Sequence, residues 1–169
     1  MLKQQYSSAR TSLKQVPAGF KIVDKYFGWQ PDTLNLDIGG GKYDLMSEKL
    51  LEKKVVNLIY DPYNRSAEHN QAILVKCDSF PIDTVTIFNV LNVIKERENQ
   101  MGVILQASNR LKEGGHVFVR STYMNPAKVS GVTKSGTFQH YMTQKEYLEM
   151  VKIVFPNAEL KHGLIHATK

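Results

Sequence analysis

The 169-residue chain has very little cysteine: Cys77 stands alone, so no internal disulfide can form, and no second cysteine is present to build a zinc knuckle. Long apolar runs are also missing. No stretch approaches the eighteen or so residues of a membrane span, which excludes a transmembrane role. The start, MLKQQYSSARTSLK, has no apolar segment followed by a small-residue cleavage site, so a cytoplasmic location is expected. Repeats, low-complexity tracts and linkers are absent too, and the length suits one domain over 1–169.

Charge of one sign is scarce only in the middle. The net +6 divides into +4 over residues 1–25, −1 over 26–125 and +3 over 126–169. Basic ends can attract phosphate, but they identify no partner by themselves.

What is present is an alternation of strand-like and helix-like segments from about residue 34, the pattern of an α/β protein with a mostly parallel sheet. Six strand-like runs are expected at 34–38, 55–60, 73–76, 84–90, 116–120 and 159–167. Helices are expected at 44–53, briefly at 66–71, at 97–111, and after Thr143, where Thr143 and Glu146 have capping-box spacing and Pro156 closes the element. Residues 1–30 pattern as short helices able to cap the ligand edge of the sheet. The stretch 121–142, with Gly131, Gly136 and Pro126, is longer than a connection needs and suggests a lid-like loop.

The segment NLDIGGGKYD carries the chemistry. An apolar strand runs into Gly39, Gly40 and Gly41 and then a helix, a turn that lets backbone approach a ligand at a helix N-terminus. A P-loop is disfavoured, because its four-residue spacing and Lys-Ser/Thr pair are missing. A dinucleotide fingerprint needs glycine where Asp44 stands, and an acid there repels a pyrophosphate. There remains Asp37-x-Gly39-x-Gly41-x-x-Asp44, with Asp61 at the end of the next strand, placed to accept hydrogen bonds from ribose hydroxyls.

On these residues the chain resembles the Rossmann-like class I S-adenosylmethionine-dependent methyltransferases from about Thr33 to the last strand, and it is similar to small bacterial and phage methyltransferase-like proteins. The resemblance implies S-adenosyl-L-methionine as cofactor. It further implies cofactor contacts at Asp37, Gly39, Gly40, Gly41, Asp44, Asp61, Pro62 and Tyr63, at Asp78 after the third strand, and at Asn89, Val90 and Leu91 in the motif FNVLNVI. LKEGGHVFV is similar to the family's entry into the fifth strand. Two departures stand out: the short interval between Lys76 and Thr84 leaves no room for the usual helix, and only one strand follows the last helix. Six strands are therefore expected, the sheet edge being trimmed or completed by a second copy, in a monomer or homodimer.

Methyl transfer from a sulfonium is an in-line displacement that needs alignment more than acid or base. The proline motif of DNA amino-group methyltransferases is missing at Asn89-Val90-Leu91-Asn92, and Cys77 lies too early to serve as a nucleophile. Asn89, Asn92, Tyr123, His140 and Tyr141 are candidates on the acceptor side. The acceptor is expected to be a small molecule or a nucleic acid. No metal is expected, since His162 and His166 have no third ligand spaced with them. A catalytically inactive subunit that only binds S-adenosylmethionine is the alternative reading. A nicotinamide dehydrogenase is weaker, because Asp44 replaces a glycine.

Overall fold

The computed structural model describes residues 4–121 and 128–169. Its chain order is α1 (Ala18–Tyr26), β1 (Thr33–Ile38), α2 (Leu45–Leu51), β2 (Val55–Tyr60), α3 (Ala67–Ser79), β3 (Ile82–Phe88), a 3-10 turn at Leu91–Val93, α4 (Arg97–Arg110), β4 (Leu111–Arg120), β5 (Gly131–Val132), β6 (Phe138–Gln139), α5 (Gln144–Lys152), β7 (Glu159–Lys161) and β8 (Leu164–Thr168). Six strands form one sheet in the order β2-β1-β3-β4-β8-β7. The first four are parallel, and β8 and β7 are antiparallel additions.

Helices cover both faces because the chain reverses direction at β1. It moves outward from β1 to β2 through α2, then crosses back over β1 to β3 through α3, and right-handed crossovers in opposite directions place their helices on opposite sides. One face is wholly apolar: Leu36, Ile38, Val85, Ile87, Val117 and Val119 pack against Ile73 and Cys77 of α3, Val103 and Ile104 of α4, and Tyr147 and Val151 of α5. On the other face Phe20 and Val23 of α1 and Met46 and Leu50 of α2 meet Phe88, Phe118 and Leu164.

Three elements differ from the sequence reading. Residues 73–76 belong to α3, not to a strand. Asn70, Ile73 and Cys77 form its buried stripe while Val75 faces solvent, and the Ser66 hydroxyl caps it by accepting from the His69 amide. Burial of a polar residue, Asn70, hid that helical period. The run 159–167 is two strands, because His162 and Gly163 both take positive φ (53° and 73°) and turn the chain back between Lys161 and Leu164. The antiparallel pair is thus supplied within the chain, and no second copy is needed to complete that edge. Finally, 4–17 is irregular, and the only helix of the N-terminal region among the described residues is α1. The count of six strands stands, with a different six.

No helix among the described residues is long and apolar enough to cross a membrane. The capping box at Thr143 is formed, the hydroxyl accepting from Glu146 N and the Glu146 carboxylate accepting from Thr143 N at 2.6 Å. Thr143→Ala should lower the unfolding free energy by about 1 kcal/mol, read from urea denaturation.

Candidate functional site

A cavity of about 560 Å³ opens at the carboxyl ends of β1 and β3, where the strand order reverses and α/β sheets bind ligands. The glycine turn forms one wall. Gly39 and Gly41 hold φ of +74° and +77°, and added side chains would strike Val90 at 2.5 Å and Ser12 Oγ at 2.4 Å. Gly40 has an ordinary φ, but a Cβ there would lie 2.2 Å from Asp37 Oδ2. The three glycines thus let a turn close directly over a buried carboxylate.

Two acids line this half of the cavity, Asp37 and Asp61, which are 3% and 5% exposed. Burial pushes the Asp37 carboxyl up to about 6. The Thr86 hydroxyl, which donates to Oδ1 at 2.9 Å, opposes that shift, and the nearby Asp61 charge adds to it. Asp61 is fastened differently. Its Oδ2 accepts from Gly41 N and Asn64 Nδ2, and its Oδ1 accepts from the amides of Tyr63 and Asn64. It therefore ties the glycine turn to the loop after β2. Arg65 repeats the tie, donating from Nε to Gly41 O at 2.8 Å and pairing with Asp44 at 2.7 Å.

The opposite wall and roof come from segments outside the glycine motif. Residues 4–17 cross the cavity as a strap that contributes Gln4, Ser8, Arg10, Thr11 and Ser12 to its lining. Ser12 Oγ accepts from Lys42 N beside the glycine turn. At the other end Gln5 lies between Glu96 and Lys95, and Tyr6 stacks on Phe138 with ring centroids 5.9 Å apart. Thr137 and Gln139 complete the lining, and Asn92, which is 5% exposed, donates to Gln139 Oε1 while its own Oδ1 has no partner.

The structure gathers most of the residues expected from sequence at this cavity: Asp37, Gly39, Gly40, Gly41, Asp61, Pro62, Tyr63, Asn89, Val90 and Asn92 line it. Asn89 reaches it through a positive φ of 59°. Others fall elsewhere. Asp44 points to Arg65, and Leu91 is fully buried in the core. Asp78 stands near the end of α3, not at a strand end, and pairs with Arg110, because the segment before it is helical. His140 packs edge-on against Phe138, its Nε2 3.3 Å from Lys95 O, and Tyr141 lies near Lys128. Neither lines the cavity. Tyr123 and the rest of 122–127 in the expected lid lie outside the described residues. The N-terminal residues at the cavity form an irregular strap where short helices were expected, and Asn64 and Thr86 were missed, since polar residues in a loop or in a strand interior carry no periodic signal. No group of three or more side chains that could hold a metal ion occurs among the described residues.

Neither family models nor curated proteins give a match. Solved structures do. An S-adenosylmethionine-dependent methyltransferase from Methanosarcina mazei superposes with a TM-score of 0.64 at 16% identity, covering 93% of this chain and 99% of that one. The 1,6-didemethyltoxoflavin-N1-methyltransferase of Burkholderia thailandensis, solved with bound 1,6-didemethyltoxoflavin and S-adenosylhomocysteine, gives 0.63 at 12%, covering 98% and 79%. An amino pentose methyltransferase from Micromonospora echinaspora, bound to S-adenosylmethionine, gives 0.56 at 14%, covering 89% of each chain. The chain therefore has the Rossmann-like class I methyltransferase fold.

The buried acid has a thermodynamic signature. Its pKa is raised in the folded protein, so the stability it contributes is present below its unfolded value of 3.8 and is lost as pH rises through about 6. Asp37→Asn should therefore be more stable than the wild type at pH 8 by up to about 3 kcal/mol and indistinguishable from it near pH 3.5. Urea denaturation of both proteins across that range checks the sign.

Proposed function

We propose that the chain binds S-adenosyl-L-methionine at the glycine turn and transfers its methyl group to a small-molecule acceptor held under the strap. The observation that carries this reading is the pairing of a tight glycine turn with two buried carboxylates, the Gly39 and Gly41 amides being taken by Tyr60 O and Asp61 Oδ2 and so not offered to a phosphate. A buried acid held up to about 6 gains from a cationic ligand, and this cofactor carries a sulfonium and an ammonium without phosphate. Pro62, Tyr63 and Val90 supply apolar and aromatic surface for the adenosine on either side of the turn. Asp61 is assigned the ribose, its carboxylate exchanging part of its hold on Asn64 for the two hydroxyls.

When bound, the cofactor would supply an electrophilic methyl on sulfur. The protein's part is to hold the acceptor atom in line with it. Asn92, Thr137, Gln139 and the strap residues Gln4, Ser8 and Thr11 offer neutral donors and acceptors for this, with Arg10 as the cation on that side. Water exclusion and alignment by such groups are sufficient chemistry for displacement at a methyl carbon. A small acceptor is favoured over a nucleic acid because the strap roofs the acceptor half, closing the route a polymer strand would need. The toxoflavin and amino-sugar enzymes of the same fold take acceptors of that size.

Isothermal titration with S-adenosylmethionine, S-adenosylhomocysteine and NAD in parallel tests the cofactor assignment: the two sulfur compounds should bind and NAD should not. Asp61→Asn should weaken S-adenosylhomocysteine by about 1–3 kcal/mol, the cost of unmade charged hydrogen bonds. Affinity unchanged in a folded Asp61→Asn protein would remove Asp61 from the site. Binding of the cofactor without methyl uptake by any small-molecule pool would leave a binding subunit instead of an enzyme.

A further inference from the structure

The α1/α2 face of the sheet is not uniformly apolar. Asn57, Asn35, Thr86 and Asp37 lie together across β2, β1 and β3, Asn35 opposite Asn57 and Asp37 opposite Thr86 in register. Asn35, Thr86 and Asp37 are at most 3% exposed. The hydrogen bonds diverge from Asn35, toward Asn57 and Ser47 on one side and toward Thr86 and Asp37 on the other. Asn57 Nδ2 donates to Ser47 Oγ, so its Oδ1 is the atom that accepts from Asn35 Nδ2 at 2.7 Å. Asn35 Nδ2 also donates to Thr86 Oγ1 at 3.0 Å. With its oxygen accepting there, the Thr86 hydroxyl has its proton directed to Asp37 Oδ1. The carbonyl oxygen of Asn35 is buried and makes no hydrogen bond to another protein group among the described residues.

This arrangement distinguishes the two oxygens of Asp37. Oδ1 accepts from Thr86, the larger of two side-chain interactions that favour the charged carboxylate, the other being with Asn57, whereas Oδ2 lies against Gly40, where a Cβ would come within 2.2 Å. We propose that Thr86, oriented by Asn35, is a positioning residue that commits Asp37 Oδ1 to the sheet and thereby presents Oδ2 to the cationic end of the cofactor at the glycine turn. The role rests on the cofactor reading given above. The Thr86 hydroxyl lies beneath the carboxylate and acts on the cofactor only through it.

The charged groups near Asp37 are Asp61, whose charge opposes its ionisation, Arg65, whose guanidinium assists it, and Arg10 of the strap, which lines the same cavity. The Thr86 hydroxyl donates to Asp37 itself, so removing it changes Asp37 directly. Loss of the donor disfavours the charged carboxylate, so Asp37 should ionise at higher pH in Thr86→Val and return to the wild-type value in Thr86→Ser.

The experiment is a titration of S-adenosylhomocysteine affinity from pH 5 to 9 with wild type, Thr86→Val and Thr86→Ser, alongside carbon NMR of the aspartate carboxyls in the ligand-free proteins. Circular dichroism confirms that each variant is folded. Thr86→Val should bind roughly tenfold more weakly at pH 6.5, the gap narrowing toward pH 9, with the Asp37 resonance titrating later. Thr86→Ser should restore both. If the wild type binds and Thr86→Val matches it in affinity and pH profile, the positioning role is overturned while the cofactor reading stands. A uniform, pH-independent loss in both variants would also overturn it, showing a packing effect. If the wild type does not bind S-adenosylhomocysteine at any pH, the cofactor reading fails and takes this role with it.

Discussion

The arrangement around the site depends on one buried carboxylate. Asp37 is the penultimate residue of β1, at the point where the strand order reverses, and the glycine turn is folded down onto it so closely that Gly40 has no room for a side chain. An acid in that position opposes folding at neutral pH, because burial raises it and Asp61 stands nearby. The surrounding polar groups reduce that opposition without removing it. Proteins keep such strained charges where a ligand of opposite charge completes them. The two helical layers have correspondingly unequal tasks. The layer of α3, α4 and α5 seals an entirely apolar face and carries much of the stability, while α1 and α2 cover the face that must hold a polar ladder among hydrophobic neighbours.

The central features were legible in the sequence because they are local. Three consecutive glycines between an apolar strand and a helix, with acids at fixed offsets, express the turn directly, and β1, β2, α4 and the capped α5 follow from periodicity and capping. The errors have equally physical origins. Ile73 and Val75 are β-favouring by propensity, but Val75 faces solvent and Ile73 is buried with Asn70 and Cys77, one turn away on each side. Asn70 is buried to serve the backbone: its side chain accepts from Asp61 N and donates to Asp61 O, which fixes the acid-bearing loop. A polarity pattern cannot reveal an asparagine buried for that purpose. The same blindness hid Asn35 and Thr86, whose partners are far apart in sequence and adjacent only through strand register.

Misreading that one helix also distorted the expected site. Reading 73–76 as a strand puts Asp78 at a strand end, among the cofactor contacts. The helix expected at 66–71 instead runs on to Ser79, leaving two residues before β3. No strand lies between β2 and β3, so that β2 is left at the sheet edge. The economy is tolerable because α3 spans the distance back to β3 by itself and inserts Ile73 and Cys77 into the same core as α4.

The strap shows how the cavity can be both enclosed and reachable. Its attachments are a serine hydroxyl at Lys42, a glutamine between Lys95 and Glu96, and a tyrosine stacked on Phe138. The polar attachments are exposed and contribute little each, on the order of 0–1 kcal/mol, and the strap has no helical or strand hydrogen bonds of its own to lose. Among the described residues its one link to the apolar layers is Val16, which packs against the cluster of α1 and α2. The half around the glycine turn is different: Asp61, Arg65 and the turn are cross-tied by buried or partly buried bonds that do not pass through the strap. Under the proposed function, a cross-tied wall beneath a weakly held roof is the division that ligand exchange requires, since the roof can yield to an acceptor while the acids proposed to recognise the cofactor stay in register.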